Sequence, residues 1–374
     1  MTGQRPRVAF DVTPVISGRT GIARYVTQLG AALERDGAAL RRFAVGRRSF
    51  ALPPGSRHIR VPTRIVERWW RSARWPPIER LVGGAELVHA TGLLVPRTRL
   101  PLVATVHDVA AVRHPELHPV RHVEQQRAQL ELLDSASVIV AVSQATADDL
   151  IHLGVAPERV VVARLGVTPL PAPEASPLGS APAGGYLLTV GETSPRKGYP
   201  LLLEALSAVR TSVELVIAGP PAGDEERINT LIGELGLASR VHRVGAVTDG
   251  GLARLYGDAT ALCFPSVAEG FGLPVLEAMA AGLPVLAREI PVARELAGDT
   301  ALLVAGDDPQ AWTHAIERVV SEPALRQSMA SAGRDRAAEF TWQRTAAATL
   351  EAYRLALGEP RAQPQTPGLS GEPR

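Results

Sequence analysis

Apolar and polar positions alternate along this chain in two rhythms. Val8-Ala9-Phe10-Asp11-Val12 is a short apolar run, the mark of a strand covered on both faces. Gly18-Arg19-Thr20-Gly21 follows as a loop. From Ile22 to Leu33 the apolar positions 22, 26, 29 and 33 mark one face of a helix. Further runs at 87–89, 102–106, 137–142 and 160–162 predict strands with helical patterns between them. A second series predicts strands over 186–190, 213–218, 241–244, 261–264 and 284–287. Its helices fall near 199–209, 224–235, 249–257, 274–281, 309–320 and 323–339. Strands alternating with helices imply α/β architecture with parallel, doubly wound sheets.

The two series are separated by 169–185, where Pro169, Pro171, Pro173, Pro177 and Pro182 exclude a helix or central strand. The expected organisation is a first domain over 1–168, a linker over 169–185 and a second domain over 186–344. A last helix over 345–358 and a disordered, Pro-rich tail over 359–374 complete it. Two such sheets joined by a hinge imply a cleft, and ligands of open α/β sheets bind beyond the carboxyl ends of the strands.

Composition narrows the function. The 374 residues are 45% hydrophobic and 21% charged, which suits a globular protein of two domains. Cys263 is the single cysteine, so neither a disulfide framework nor a cysteine-cluster metal site is available. The nine His show no zinc-site spacing. No run approaches the roughly 18 apolar residues of a membrane span, and residues 1–7 lack the apolar core of a signal peptide, so a cytoplasmic protein is expected. Net charge is only +2, which argues against a whole-chain polyanion binder. The charge is unevenly spread: residues 1–180 hold 23 Arg against 15 acids (+8), and 181–374 hold 17 Lys and Arg against 23 acids (−6). Only one basic residue is a lysine, Lys197.

Three strings carry candidate chemistry. The first runs from Phe264 to Pro284 and contains Glu269-Gly270-Phe271-Gly272-Leu273-Pro274 and Glu277. It leaves a strand, makes a Gly-rich turn and enters a helix, with Pro274 suited to the first helical position. The turn would aim the N–H groups of Phe271, Gly272 and Leu273 at an anion. Glu269 in the loop and Glu277, expected in the helix's first turn, bracket it. Carboxylates accept vicinal hydroxyls, so the arrangement suits a molecule with a diol on each side of a diphosphate, as in a nucleotide sugar. Either glutamate alone is as well explained by the helix dipole or by solvent; the whole string argues for function. The second string, Gly191 to Gly198, places Arg196 and Lys197 at a strand's carboxyl end, where they suit a departing diphosphate. The third, Val106-His107-Asp108, ends a first-domain strand; a His there packs as often as it binds.

These residues resemble the retaining glycosyltransferases of family 4, mannosyltransferase-like group 1 enzymes of GT-B architecture. The likeness spans about 7–357. Gly21-Ile22-Ala23-Arg24-Tyr25 resembles that family's glycine loop and first helix. Leu87-Val88-His89-Ala90, Val106-His107-Asp108, Ala141-Val142-Ser143 with Asp149-Leu150, and Leu165-Gly166-Val167 resemble its first-domain landmarks. The strings around Lys197 and Glu269–Glu277 are the most diagnostic. The resemblance implies GT-B, two Rossmann-like parallel-sheet domains facing a central cleft. It implies that Arg196 and Lys197 hold the donor diphosphate and that Gly270, Phe271, Gly272 and Leu273 contact phosphate and sugar through their backbone. Glu269 would bind hexose hydroxyls and Glu277 the ribose. His107 would sit near the transferred sugar, Gly21 beside the diphosphate, and Gly245 near the base. Glu269, Arg196, Lys197 and His107 are therefore the expected catalytic group.

The implied reaction moves a hexose from a nucleotide-diphosphate sugar to a glycan, lipid-linked or small-molecule acceptor with retention and without a metal. GDP-mannose is preferred over UDP-sugars on the Gly21–Tyr25 region. The residues at Gly191-Glu192-Thr193 depart mildly from the family and leave donor detail open; there is no Asp-x-Asp string. A same-fold epimerase and a non-catalytic nucleotide-sugar-binding module are the alternatives. A dinucleotide oxidoreductase is disfavoured, because no GxGxxG follows the first strand. Residues 56–80, with seven Arg, two Glu and Trp69, Trp70 and Trp75, suit either an anionic membrane surface or an amphipathic helix with Trp in the core, the latter preferred. No nucleic-acid partner is expected.

Overall fold

The computed structural model describes residues 6–18, 20–47, 52–72, 76–92 and 94–360. Arg19, Arg74, Trp75 and all of the expected tail beyond Pro360 lie outside them.

The first sheet contains β1 (Arg7–Asp11), β2 (Ala39–Val45), β3 (Arg57–Ile59), β4 (Leu87–Ala90), β5 (Leu102–Val106), β6 (Val138–Ala141) and β7 (Val160–Val162). Its order is β3-β2-β1-β4-β5-β6-β7, and every adjacent pair is parallel. The second contains β8 (Tyr186–Val190), β9 (Glu214–Ala218), β10 (Val241–Gly245), β11 (Ala261–Phe264), β12 (Val285–Arg288) and β13 (Leu302–Val304). Its order is β10-β9-β8-β11-β12-β13, again parallel throughout. These are two Rossmann-like α/β domains, as expected. The strand order reverses once in each sheet, between β1 and β4 and between β8 and β11. Crevices open at such switch points, so these two places position the site.

Helices cover both faces of each sheet, which is why β4, β5, β6 and β11 are buried along their whole length. Phe43, Val66, Trp70 and Ile78 fill one face of the first sheet. Its other face belongs to a cluster that continues into the second domain, from Phe10, Tyr25 and Leu29 to Leu188, Phe264 and Leu276. Burial of each such side chain contributes about 1.5–3 kcal/mol. Trp70 on the helix Thr63–Arg71 is only 5% exposed, and its Nε1 donates to Pro76 O at 3.2 Å. Arg64 and Arg68 face solvent from the same helix, which is amphipathic.

The last helix, Trp342–Ala356, starts three residues before the expected Thr345, because the Thr341 hydroxyl accepts from the Arg344 N–H at 3.2 Å and caps it there. It packs on the helix Gly21–Arg35 and on β5, β6 and β7. His89 pins it: the ring nitrogens are hydrogen-bonded with Tyr353 Oη and Thr105 Oγ1, both at 2.7 Å. Burial pushes the His89 pKa down to about 3, so the ring stays neutral.

Further contacts join the domains. Glu295, on the helix Pro291–Ala297, accepts from the N–H groups of Gln144 (2.9 Å) and Ala145 (3.1 Å), capping the helix Gln144–His152 from the opposite domain. Arg164 pairs with the same carboxylate at 2.5 Å. Ser143 Oγ and Thr146 Oγ1 donate to the carbonyl of Gly270 at 2.6 and 3.1 Å.

Candidate active site

On the second-domain wall the chain leaves β8 at Val190, makes a tight 3-10 turn over Pro195–Lys197 and enters the helix Tyr199–Ala208 through Gly198 at φ +67°. Lys197 folds back over the strand end. Its Nζ lies 2.6 Å from Glu269 Oε1 and 5.9 Å from the Phe264 ring centroid. Arg196 Nη1 reaches the same oxygen at 2.8 Å. Gly191 makes this possible: a Cβ there would lie 2.8 Å from Lys197 Cε and 3.0 Å from its Nζ. Burial would raise the pKa of Glu269, but Lys197 and Arg196 outweigh it and hold the carboxyl at about 2. Arg196 also reaches Glu192 Oε1 at 3.6 Å, and Asp108 of the first domain acts on it, so both cations sit among carboxylates.

The adjoining turn enters the helix Leu273–Ala281 through Gly272, a left-handed residue at φ +91°. Among the described residues the N–H groups of Phe271, Gly272 and Leu273 have no hydrogen-bond partner. They are the open donors of a helix start. The Phe271 side chain is buried edge-on to Phe340, with centroids 6.2 Å apart, so this residue offers its backbone.

Two expectations about this helix need correction. Pro274 is its second residue and not its first, and Glu277 is the fifth, in the second turn. The helix dipole therefore does not account for Glu277. Its partners do. Glu277 Oε2 accepts from Tyr256 Oη at 3.1 Å, and Oε1 accepts from Arg24 Nη1. Arg24 Nη2 also donates to Asp249 Oδ1 at 3.1 Å. Burial raises the Glu277 pKa; Arg24 and the Tyr256 hydrogen bond oppose it.

On the first-domain wall, Gly21 opens the helix Gly21–Arg35, with Thr20 Oγ1 accepting from the Ala23 N–H at 3.1 Å. A Cβ at Gly21 would lie 3.2 Å from Leu273 Cδ1, so two helix starts from opposite domains meet here. Their positive ends converge on one region. His107 ends β5. Its Nε2 lies 2.8 Å from the Thr91 carbonyl and must donate to it, which leaves Nδ1 with a free lone pair. Its ring stands edge-on to Tyr25, with centroids 4.9 Å apart, and burial lowers its pKa. The His107 carbonyl packs directly on Gly270: a Cβ there would be 1.6 Å from that oxygen.

The fold thus gathers His107, Gly21, Arg196, Lys197, Glu269, Gly270, Phe271, Gly272, Leu273 and Glu277 about one cleft. Gly245 ends the outer strand β10, where its carbonyl accepts from Gly219 N–H at 2.8 Å, and Gly219 in turn packs on Gly191. Arg24, Tyr256, Asp249, Ser143 and Thr146 belong to the same assembly; Arg24 and Ser143 lie in family-like strings without an expected role, and the other three were missed. Arg24 carried one signal: a cation in a helix's first turn, where the dipole disfavours it.

Two of the cavities in the first domain adjoin each other. One, about 320 Å³, is lined by Asp11, Thr13, Thr20 and Gly92. The other, about 690 Å³, is lined by Arg64, Trp70, Arg97 and Arg121. Glu67 and Gln125 line both. Asp11 Oδ1 accepts from the Thr13 N–H at 2.8 Å, whereas the buried Oδ2 has no partner, and burial pushes the carboxyl up to about 7. Among the described residues there is no group of three or more His, Cys, Asp or Glu placed to hold a metal ion, and no helix is long and apolar enough to cross a membrane.

Comparison with known proteins agrees with this geometry. The Glycosyltransferase Family 4 profile matches residues 19–169, and that of glycosyl transferases group 1 matches 176–336. The chain is 29% identical to O-antigen chain mannosyltransferase B of Escherichia coli over 72% of this chain and 74% of that protein. It is 32% identical to D-inositol 3-phosphate glycosyltransferase of Paenarthrobacter aurescens over 74% and 70% of the two. Among solved structures, sucrose-phosphate synthase of Thermosynechococcus elongatus superposes with TM-score 0.78 at 22% identity, covering 95% of this chain and 100% of that one. With both domains matched in order and a facing pair of Rossmann-like sheets, the chain belongs to the group 1, family 4 glycosyltransferases of the GT-B fold, which move a sugar from a nucleotide-diphosphate donor to an acceptor.

Proposed function

We propose that the protein is a retaining, metal-independent hexosyltransferase that takes mannose from GDP-mannose in preference to UDP-sugars. The observation that carries the reading is the cluster of Lys197, Arg196 and Glu269 beside three unpartnered N–H groups, with the Gly21 helix start facing them. In this reading the donor diphosphate lies between the two helix starts. Lys197 and Arg196 neutralise the charge that develops on it as the sugar–oxygen bond breaks. Glu269 accepts hydroxyls of the hexose, and Glu277 accepts the ribose diol. The Nδ1 lone pair of His107 accepts from a sugar hydroxyl, and Gly245 lies toward the base.

The acceptor hydroxyl forms its new bond to the anomeric carbon on the face the diphosphate leaves. Its proton passes to the departing phosphate oxygen, so configuration is retained without a protein nucleophile. The preference for mannose is supported by the likeness to the E. coli mannosyltransferase. The acceptor is a glycan, lipid-linked or small polyol molecule bearing an anionic group, seated in the first-domain cavities. The arginines lining the larger cavity and the likeness to an inositol-phosphate glycosyltransferase support this.

Calorimetry with GDP-mannose and UDP-sugars, with and without a chelator, tests the donor. Tightest binding of GDP-mannose, unaffected by chelator, is expected; exclusive binding of a UDP-sugar overturns that choice. Anomeric NMR of the product tests retention. An epimer formed from donor alone, without acceptor, would favour the epimerase alternative.

A second reading concerns location. Arg64, Ile65 (40% exposed) and Arg68 lie on the solvent face of the 63–71 helix and support peripheral contact with the inner, cytoplasmic membrane surface. Salt-sensitive binding to vesicles of anionic phospholipid is expected, and its absence at low salt removes this reading.

A further inference from the structure

Arg24 is the fourth residue of the helix Gly21–Arg35. A cation in a helix's first turn opposes the dipole. What holds the guanidinium comes from the other domain: Glu277 on one nitrogen and Asp249 on the other. The register explains the reach. Gly21 faces Leu273 across the cleft. Arg24 is one turn beyond Gly21, and Glu277 is one turn beyond Leu273. On a helix such positions share a face. The ion pair therefore sits one turn behind the place where the two helix starts meet.

Glu277 is only 6% exposed. The charged and titratable groups that face it are Arg24 from the first domain and Tyr256 and Asp249 from the second. Without Arg24, a buried carboxyl would be left beside a second carboxylate and a phenol. Such a group takes up a proton, and a protonated carboxyl accepts a diol poorly. Glu269, by contrast, has both of its cations in its own domain.

We propose that Arg24 is a positioning residue of the donor site: from the first domain it supplies the counter-charge and alignment that Glu277 needs to hold a nucleotide's ribose diol, so that this half of donor recognition exists only when the domains are closed. The proposal rests on Glu277 being the diol acceptor.

The test uses the full chain and measures binding of GDP, UDP and their 2′,3′-dideoxy analogues by calorimetry between pH 5.5 and 8.5, with donor kinetics alongside. E277Q is expected to erase the preference for ribose over dideoxyribose. R24Q is expected to weaken nucleotide binding at least tenfold at pH 7, to shrink that preference and to shift the acid limb of binding to higher pH. It should raise donor KM more than it lowers kcat. R24K should recover part of the loss, since it restores the charge without the two-pronged geometry. Adding R24Q to E277Q should change binding less than twofold, because Arg24 acts through Glu277.

If E277Q keeps the ribose preference, the diol role of Glu277 falls. If E277Q loses it while R24Q keeps both preference and pH profile, the role of Arg24 alone falls. A further tenfold loss in the double variant also overturns the proposal, since Arg24 would then touch the nucleotide itself. Should R24Q not fold, the double variant, which leaves no unpaired buried carboxylate, decides the matter.

Discussion

Glu269 and Glu277 stand on either side of one turn, and the protein treats them in opposite ways. Glu269 lies between Lys197 and Arg196, both from its own domain, and its pKa sits at about 2. Glu277 draws its cation from a helix 253 residues away in sequence, and burial raises its pKa. Both ion pairs of Glu269 lie within the second domain, although Asp108 of the first also acts on Arg196. The arrangement at Glu277 requires both domains. Proximity in sequence thus hides a difference: one carboxylate takes its paired cations from its own domain, and the other takes its cation from across the cleft.

The comparison breaks first at the cluster around Glu269. Lys197→Ala should lower turnover by two orders of magnitude or more, about the worth of a charge-stabilising donor, with circular dichroism showing an intact fold. Near-normal turnover would discard the role given to this lysine.

Gly270→Ala probes closure. The new methyl group would meet the His107 carbonyl at 1.6 Å. The two walls must move apart, and displacements of about 1 Å cost on the order of 10²-fold in rate. Turnover should fall about that much while the melting temperature, read by calorimetry, stays within a few degrees. A large loss of stability instead would mean that the contact holds the fold and not the cleft.

Ser143→Ala removes one of the two hydroxyls on the Gly270 carbonyl. Loss of that bond, about 0.5–1.5 kcal/mol, predicts a 2- to 10-fold rise in donor KM, and loss of the cap that Ser143 Oγ places on the Thr146 N–H at 3.0 Å predicts a lower melting temperature. No change in KM would leave Thr146 sufficient by itself.

The smallest effect is a pair of pH slopes. The depressed pKa of Glu269 gives stability that is fully present above its ordinary value of 4.5 and is lost as pH falls toward about 2. The melting-temperature gap between the native protein and E269Q should therefore be flat from pH 8 to 5.5. Glu277 has a raised pKa, so ionising it costs stability. Relative to E277Q, the native protein should lose stability as pH rises. Slopes of the same sign in the two variants would erase the distinction.

Most of the fold was legible because buried parallel strands are short apolar runs between turn residues. β5, β7, β8 and β11 coincide with such runs. The strands that escaped are peripheral. β2 carries Arg41 and Arg42 in its partly exposed first half, β3 is a three-residue edge strand with a single apolar side chain, and β13, though apolar, is an edge strand of only three residues. The triad around Lys197 was legible because each member lies in a string with its own turn chemistry. Glu277 was placed at the end of the first turn and not in the second because the helix starts one residue earlier, with Gly272 and not Leu273 as its cap. Arg24, Tyr256 and Asp249 were not legible as partners, since what joins them to Glu277 is a tertiary approach of two helix starts.

The scarcity of lysine has a practical side. Lys197 is the chain's only lysine, and its side chain is 8% exposed and bound to Glu269. Growth on isotopically enriched lysine would therefore install a single spectroscopic reporter, at the spot where a diphosphate would arrive. Its resonance would follow occupancy and turnover directly, with no other side chain of its kind to obscure it.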